Sequence, residues 1–210
     1  MACPIIVFAK APEPGKVKTR LIPLLGAEGA AALHARLVRH ALTTACGAAI
    51  GPVELACTPD TKHPFFRHCA ERYGVTLTLQ SAGDLGVRME EACRRALGHS
   101  VAALIIGADS PALTAEHLQA GRDVLTQGHE AVLIPAEDGG YVLMGLSRCD
   151  RRLFEGLDWG EPNVMAETRS RLSRLGWNWT ELPALWDVDR PEDYERLVAS
   201  GLLDRQETLV

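Results

Sequence analysis

The chain has no C-x-x-C pair, no long uninterrupted apolar run, no excess of positive charge and no repeated or low-complexity segment. Each absence excludes something. Its six cysteines are scattered, which argues against a zinc cluster and fits reduced, mostly buried thiols. The longest apolar stretches are far shorter than a membrane span, so no membrane partner is expected. The first residues, MACPIIVFAK, lack the basic start and the apolar length of a signal peptide, so the expected location is cytoplasmic. A net charge of −5 and a pI near 5.8 argue against nucleic acid as the partner. His63 and His68 lie five apart, a poor ligand spacing on a helix, and are expected at or near the surface. With 210 residues the chain can bury a sizeable core, and residues 1–210 are expected to form one domain.

Against that acidic background one basic segment stands out. Lys10 to Arg20 reads KAPEPGKVKTR, directly after the apolar run Ile5 to Ala9. Pro12, Pro14 and Gly15 prevent the strand from continuing, and Lys10, Lys16, Lys18 and Arg20 are gathered in one loop. Lysines supply point charges, and the glycine at 15 lets backbone N–H groups approach phosphate oxygens. The loop is not a P-loop, because Val17 follows Gly15-Lys16 where that motif has Ser or Thr.

Apolar runs alternate with helical patterns, which predicts βαβ units and a mostly parallel sheet. Strands are expected at about 4–9, 52–57, 75–79, 101–107 and 131–135, and helices at about 27–47, 62–73, 86–97 and 115–127. A turn of four residues, 137–140, joins 131–135 to a strand at 141–146. A parallel crossover needs a dozen residues or more, so this strand should run antiparallel. A helix at 162–175 with Pro162 at its first position, a strand near 178–182 and a helix from about 191 complete the pattern.

Three acidic turns are candidates for chemistry. Asp109 follows the most apolar strand, where open α/β sheets bind ligands. A carboxylate facing a polyphosphate is usually joined to it by a divalent cation, although Ser110-Pro111 also reads as a helix start. Asp138-Gly139-Gly140-Tyr141 is either a hairpin turn or a ligand-facing turn. Alternation puts Asp187 and Asp189 on one side of the chain, one free for a metal and the other to cap the helix near Pro191. Trp177, Trp179 and Trp186 read as packing residues, while Trp159, beside Gly160 in a loop, is the exception.

Five segments together carry a resemblance: FAKAPEPGKVKTRL (8–21), GDLGVRM (83–89), IGADSPALT (106–114), PAEDGGYVLMGL (135–146) and DVDRPEDYERL (187–197). The chain resembles the bacterial rSAM/selenodomain-associated transferase 1 family, also labelled arsenosugar-biosynthesis glycosyltransferases, of the GT-A or nucleotide-diphospho-sugar transferase superfamily. The resemblance implies an α/β fold, a Rossmann-like three-layer α/β/α arrangement with a mixed, mostly parallel sheet. It implies a nucleotide at the sheet's carboxyl edge, with Lys10, Gly15, Lys16, Lys18 and Arg20 in the phosphate loop. Asp109 takes the place of the metal-binding carboxylate, with Asp189 or Asp187 as the second ligand of Mg2+ or Mn2+. Asp109 and Asp138 are the catalytic candidates, and Asp84, Gly139, Gly140, Tyr141 and Trp159 the substrate-binding ones. The implied partners are a nucleotide sugar or NTP and a small-molecule acceptor; a homodimer is left open, since the sequence does not identify the oligomeric state. Glycosyl transfer is the favoured chemistry. Nucleotidyl transfer, as in guanylyltransferases, is the alternative, and a nucleotide-binding regulatory protein without turnover is a third. Val87, Glu161-Pro162 and Arg190 depart from the family pattern, and the pyrophosphorylase start G-x-G-T-R-M is absent.

Overall fold

A computed structural model describes residues 2–203. Seven strands form one sheet: β1 (Ile5–Lys10), β2 (Val53–Thr58), β3 (Thr76–Leu79), β4 (Ala103–Ile106), β5 (Ala131–Pro135), β6 (Tyr141–Leu146) and β7 (Trp179–Glu181). Their order is β3-β2-β1-β4-β6-β5-β7. All neighbours pair in parallel except β6, which runs antiparallel to both β4 and β5. The short 137–140 turn therefore made the hairpin its length requires, and the fold is the mixed α/β sheet expected.

Helices cover both faces because strand residues alternate. Ile5, Val7, Leu55, Cys57, Leu104, Ile106, Val132 and Ile134 form one core with α1 (Ile22–Ala48), α2 (Pro64–Tyr73) and α4 (Ala115–Thr126). Ile6, Ala56, Ile105, Leu133 and Met144 face the other way, against α3 (Leu85–Leu97) and α5 (Val164–Leu175). Each Ile, Leu, Val or Met side chain among them, fully buried, contributes about 1.5–3 kcal/mol. Gly145 sits where β6 faces Leu104, Val132 and Leu125, and a Cβ there would come within 2.5 Å of Val132. Its missing side chain lets those larger neighbours meet. A third cluster joins the start of α1 to Trp186, Val188 and Leu197 of α6 (Pro191–Ser200).

Helix α1 is long and apolar enough to cross a membrane by composition. Its Leu37, Val38, Ala41 and Leu42 are instead buried in the protein. Gly26, at φ 71°, breaks the helical geometry, so the unbroken helix starts where the periodicity expected it. Two local expectations are corrected. Ser110-Pro111 starts no helix, because Ser110 donates to the Trp186 carbonyl at 2.7 Å and Thr114 caps α4 instead. Pro162 precedes α5 rather than opening it, and Asn163 holds the cap position.

The chain order reverses at β1 and β4, which lie side by side. The loops leaving their carboxyl ends diverge to opposite halves of the sheet, which opens a crevice between them. Those loops carry Lys18 and Asp109.

Candidate active site at the carboxyl edge of the sheet

The basic loop is curled on itself before it reaches the crevice. Gly15 takes φ 79°, and the Lys16 N–H donates to the Glu13 carbonyl at 3.0 Å. Lys16 pairs with Glu13, and Lys10 Nζ donates to the Lys16 carbonyl at 2.8 Å. Lys10 and Lys16 are thus held within the loop and exposed, whereas Lys18 and Arg20 reach across it. Lys18 adopts a left-handed conformation, φ 46° and ψ 43°, which a lysine takes only under tertiary constraint. Its side chain is 5% exposed, and Nζ lies 2.7 Å from Asp109 Oδ1. Arg20 pairs with Asp189.

Asp109 leaves β4 through Gly107 and Ala108, and its carbonyl accepts from the Val188 N–H at 2.9 Å. That bond draws the 185–189 segment across the crevice and sets Asp187 beside it. Asp109, Asp138 and Asp187 line one cavity of about 130 Å3, with Tyr141 and Gly140. Asp187 titrates near 6, above the usual carboxylate range, because burial raises it and the charges of Asp138 and Asp109 add to that. Burial also acts to raise Asp109, but Lys18 and then His34 outweigh it and hold the carboxyl below its ordinary value.

The motifs did not single out His34. Its Nε2 lies 2.9 Å from the Lys10 carbonyl, so Nε2–H donates there and Nδ1 is left as an acceptor. Nδ1 faces Asp109 Oδ1 at 3.9 Å and has no hydrogen-bond partner of its own, whereas Oδ1 is already paired with Lys18. Burial lowers the His34 pKa against the pull of Asp109. Its one sequence signal was a histidine among the mostly apolar positions of α1, a signal it shares with His40.

The remaining candidates divide. Asp189 does not line the cavity, being paired with Arg20, so the two carboxylates of Asp-Val-Asp serve different neighbours. Neither caps α6: Asp193 Oδ2 does, accepting from the N–H groups of Asp189 and Arg190 at 3.1 and 2.7 Å. Asp138 Oδ1 accepts from the Gly140 N–H at 2.9 Å, which turns the chain and leaves the side chain on the cavity wall. Gly139, at φ 96°, is not open space for a ligand. A Cβ there would come within 2.0 Å of the Pro162 carbonyl, and the Gly139 carbonyl accepts from Met165 N–H at 2.8 Å. That close approach locks the 158–163 loop onto the turn.

This places Trp159 edge-on to Tyr141, with ring centroids 6.3 Å apart. Burial raises the Tyr141 hydroxyl pKa, and the hydroxyl donates to Met89 Sδ at 3.6 Å, so it stays neutral. Asp84 caps α3 by accepting from the Val87 N–H at 2.9 Å, and it also lines an outer cavity with Trp159.

Among the described residues no three His, Cys, Asp or Glu side chains converge as a ready-made metal cage. Asp109 and Asp187 are nevertheless matched to a cation that takes its other ligands from phosphate and water. Their carboxylates repel one another, and the Asp109 side chain, although Oδ1 pairs with Lys18, is still 44% exposed to the crevice. Mg2+ is commonly held by one or two carboxylates plus phosphates.

Residues 41–161 match the family model described as "Uncharacterized protein conserved in bacteria (DUF2064)". A crystal structure of a "putative nucleotide-diphospho-sugar transferase" from Desulfovibrio desulfuricans G20 is 30% identical, with a TM-score of 0.81 over 90% of this chain and 84% of its own. A CMP:2-keto-3-deoxy-manno-octonic acid synthetase complexed with CTP aligns over 99% of this chain and 100% of its own at 12% identity and TM-score 0.63. A glucosyl-3-phosphoglycerate synthase from Mycobacterium tuberculosis, in complex with Mn2+, UDP and glucosyl-3-phosphoglycerate, aligns over 97% of this chain and 79% of its own at 12% identity and TM-score 0.54. No curated protein matches the chain. The sheet order, the crevice at its carboxyl edge and these likenesses agree: the chain belongs to the DUF2064 family and has a GT-A-type α/β fold.

Proposed function

We propose that the protein is a metal-dependent transferase that uses a nucleotide-activated donor, and that it transfers a glycosyl group from a nucleotide sugar to a small acceptor. One observation carries this reading. Lys18 and Arg20 from the β1 loop meet Asp109 and Asp189, beside Asp187, at the carboxyl edge where the strand order reverses. Cations and carboxylates interleaved at that edge suit a diphosphate that arrives with a divalent cation better than they suit an anion or a cation alone. The 30% identical relative is described as a transferase of this kind.

Each residue has a task in that reaction. Lys18 and Arg20 hold the diphosphate and stabilise the charge it gains on leaving. Asp109 and Asp187 would hold Mg2+ or Mn2+, which supplies Lewis-acid neutralisation of the diphosphate oxygens. His34 anchors the end of β1 through the Lys10 carbonyl and keeps the loop at its start in place. Asp138 takes the proton of the acceptor hydroxyl as its oxygen bonds to the anomeric carbon. The bond from that carbon to the β-phosphate oxygen breaks, and its electron pair leaves with the nucleoside diphosphate.

The test is a donor panel of nucleotide sugars and NTPs, each with Mg2+ or Mn2+ and a mixture of small acceptors. Release of nucleoside diphosphate with transfer of the labelled sugar is the expected outcome. Pyrophosphate release from an NTP would assign nucleotidyl transfer instead. Nucleotide binding without product across the panel would sink the catalytic reading.

A further inference from the structure

Beyond the diphosphate crevice lies a larger space with a different electrostatic character. It has a volume of about 980 Å3 and is lined by Asp84, Asp158, Trp159, Glu161, Asn163 and their neighbours. No Lys, Arg or His lines it. It is a broad depression, open to solvent over most of its extent.

This outer cavity connects to the crevice through shared walls. Trp159 and Glu161 also line a cavity of about 120 Å3 with Asp138, Gly140 and Tyr141. Asp138, Gly140 and Tyr141 in turn line the inner cavity that holds Asp109 and Asp187. A molecule seated on Trp159 and Glu161 therefore borders Asp138 on one side, with the paired carboxylates beyond.

The Trp159 wall is built rather than incidental. The indole lies against the first turn of α3 at Gly86, where a Cβ would come within 2.8 Å of Nε1 and 2.6 Å of the Phe154 carbonyl. Only glycine admits the ring there. Tyr141 meets it edge-on, and the buried indole N–H has no hydrogen-bond partner. A fixed aromatic face packs against C–H surfaces, and carboxylates accept hydrogen bonds from hydroxyls. Phosphate or carboxylate groups would instead meet Asp84, Asp158 and Glu161 with no cation in the lining to pair with.

We infer that the outer cavity selects a polyhydroxylated acceptor that carries no anionic group, with Trp159 as its platform and Glu161 and Asp158 as the groups that exclude phosphate esters. This rests on the transferase reading above and names the acceptor class. It opposes a phosphorylated acceptor, the kind that a guanylyltransferase-like reaction would use.

Titration of the full chain, followed by Trp fluorescence, tests it directly. The probes are glycerol, glucose and sorbitol against glycerol 3-phosphate, glucose 6-phosphate and sorbitol 6-phosphate, with Trp159→Phe assigning the signal. Neutral probes should perturb Trp159 and bind at least tenfold more tightly than their phosphate esters, about 1.4 kcal/mol. In the double variant Asp158→Lys, Glu161→Lys the order should reverse by at least tenfold, while a far-UV circular dichroism spectrum and a cooperative melt like those of wild type show that the fold is intact. A wild type that prefers the phosphate esters, a double variant with an unchanged ratio, or no response of Trp159 to any neutral probe would overturn the assignment. Nucleotide binding is read in a separate titration. Its absence would refute the transferase reading without altering what the polyol titrations say about the cavity.

Discussion

Asp187→Asn should stabilise the ligand-free protein, although it removes a residue from the proposed site. The Asp187 carboxyl rises from 3.8 to about 6 through burial and the neighbouring charges of Asp138 and Asp109. Each pH unit of difference is worth about 1.4 kcal/mol, so the full penalty for keeping it ionised at neutral pH approaches ~3 kcal/mol. The residue is only half-buried, and solvent screening reduces this to about 1–2 kcal/mol. The folded state holds the proton more tightly than the unfolded chain. The contribution of Asp187 is therefore complete below 3.8 and is lost as pH rises through about 6. Asparagine keeps the shape and carries no charge at any pH. Thermal denaturation without divalent cation, from pH 4 to 8, should show the variant melting about 3–6 °C higher at pH 7.5. That gap should close towards pH 4. With Mg2+ and nucleotide present the advantage should shrink or invert, because the wild-type carboxylate then has a cation to face. A gap that is the same at pH 4 and pH 7.5, or a variant less stable at pH 7.5, would refute the reasoning.

The other predictions follow from the same map. Lys18→Ala and Arg20→Ala should each weaken nucleotide binding by about 1–3 kcal/mol in titration calorimetry, the scale of a charge-assisted contact. Unchanged affinity in both would remove the loop from the site. Asp109→Asn should abolish the metal dependence of nucleotide binding; full retention would sink its role as a ligand. Asp138→Asn should lose turnover while donor affinity stays near wild type, and a collapse of donor binding would show that it has another role. Gly139→Ala should cost about 2–4 kcal/mol in urea denaturation, from its positive φ and the clash with the Pro162 backbone; a cost under 0.5 kcal/mol would show that the loop yields freely.

The fold was legible because the chain's local signals agree with one another. Strands 131–135 and 141–146 appear at their expected bounds, since a four-residue turn leaves no other pairing. Helix ends were less legible where tertiary contacts override local chemistry. Ser110-Pro111 has the composition of a helix start, but the Ser110 hydroxyl is occupied by the Trp186 carbonyl, 76 residues away. Asp193 takes the capping role that Asp187 or Asp189 could have filled, because only it reaches back to the N–H groups of 189 and 190.

The same distinction runs through the site. Sequence spacing grouped Lys10, Lys16, Lys18 and Arg20 as equivalent cations, and the loop's curl separates them into two that hold the loop and two that cross the crevice. Spacing likewise put Asp187 and Asp189 on one side of the chain. Which of them joins Asp109 depends on the bond from Val188 N–H to the Asp109 carbonyl, a contact between segments almost eighty residues apart. His34 had no motif at all. Its position follows only from α1 crossing behind the end of β1, where a histidine can donate to the Lys10 carbonyl and still turn Nδ1 toward Asp109. A motif records which residue types a reaction needs. It cannot record which copy of that type the fold delivers, because delivery is decided by backbone hydrogen bonds that any side chain could have accompanied. That is why Lys18, held in a left-handed conformation that the sequence gives no reason to expect, is the cation that the structure brings to Asp109.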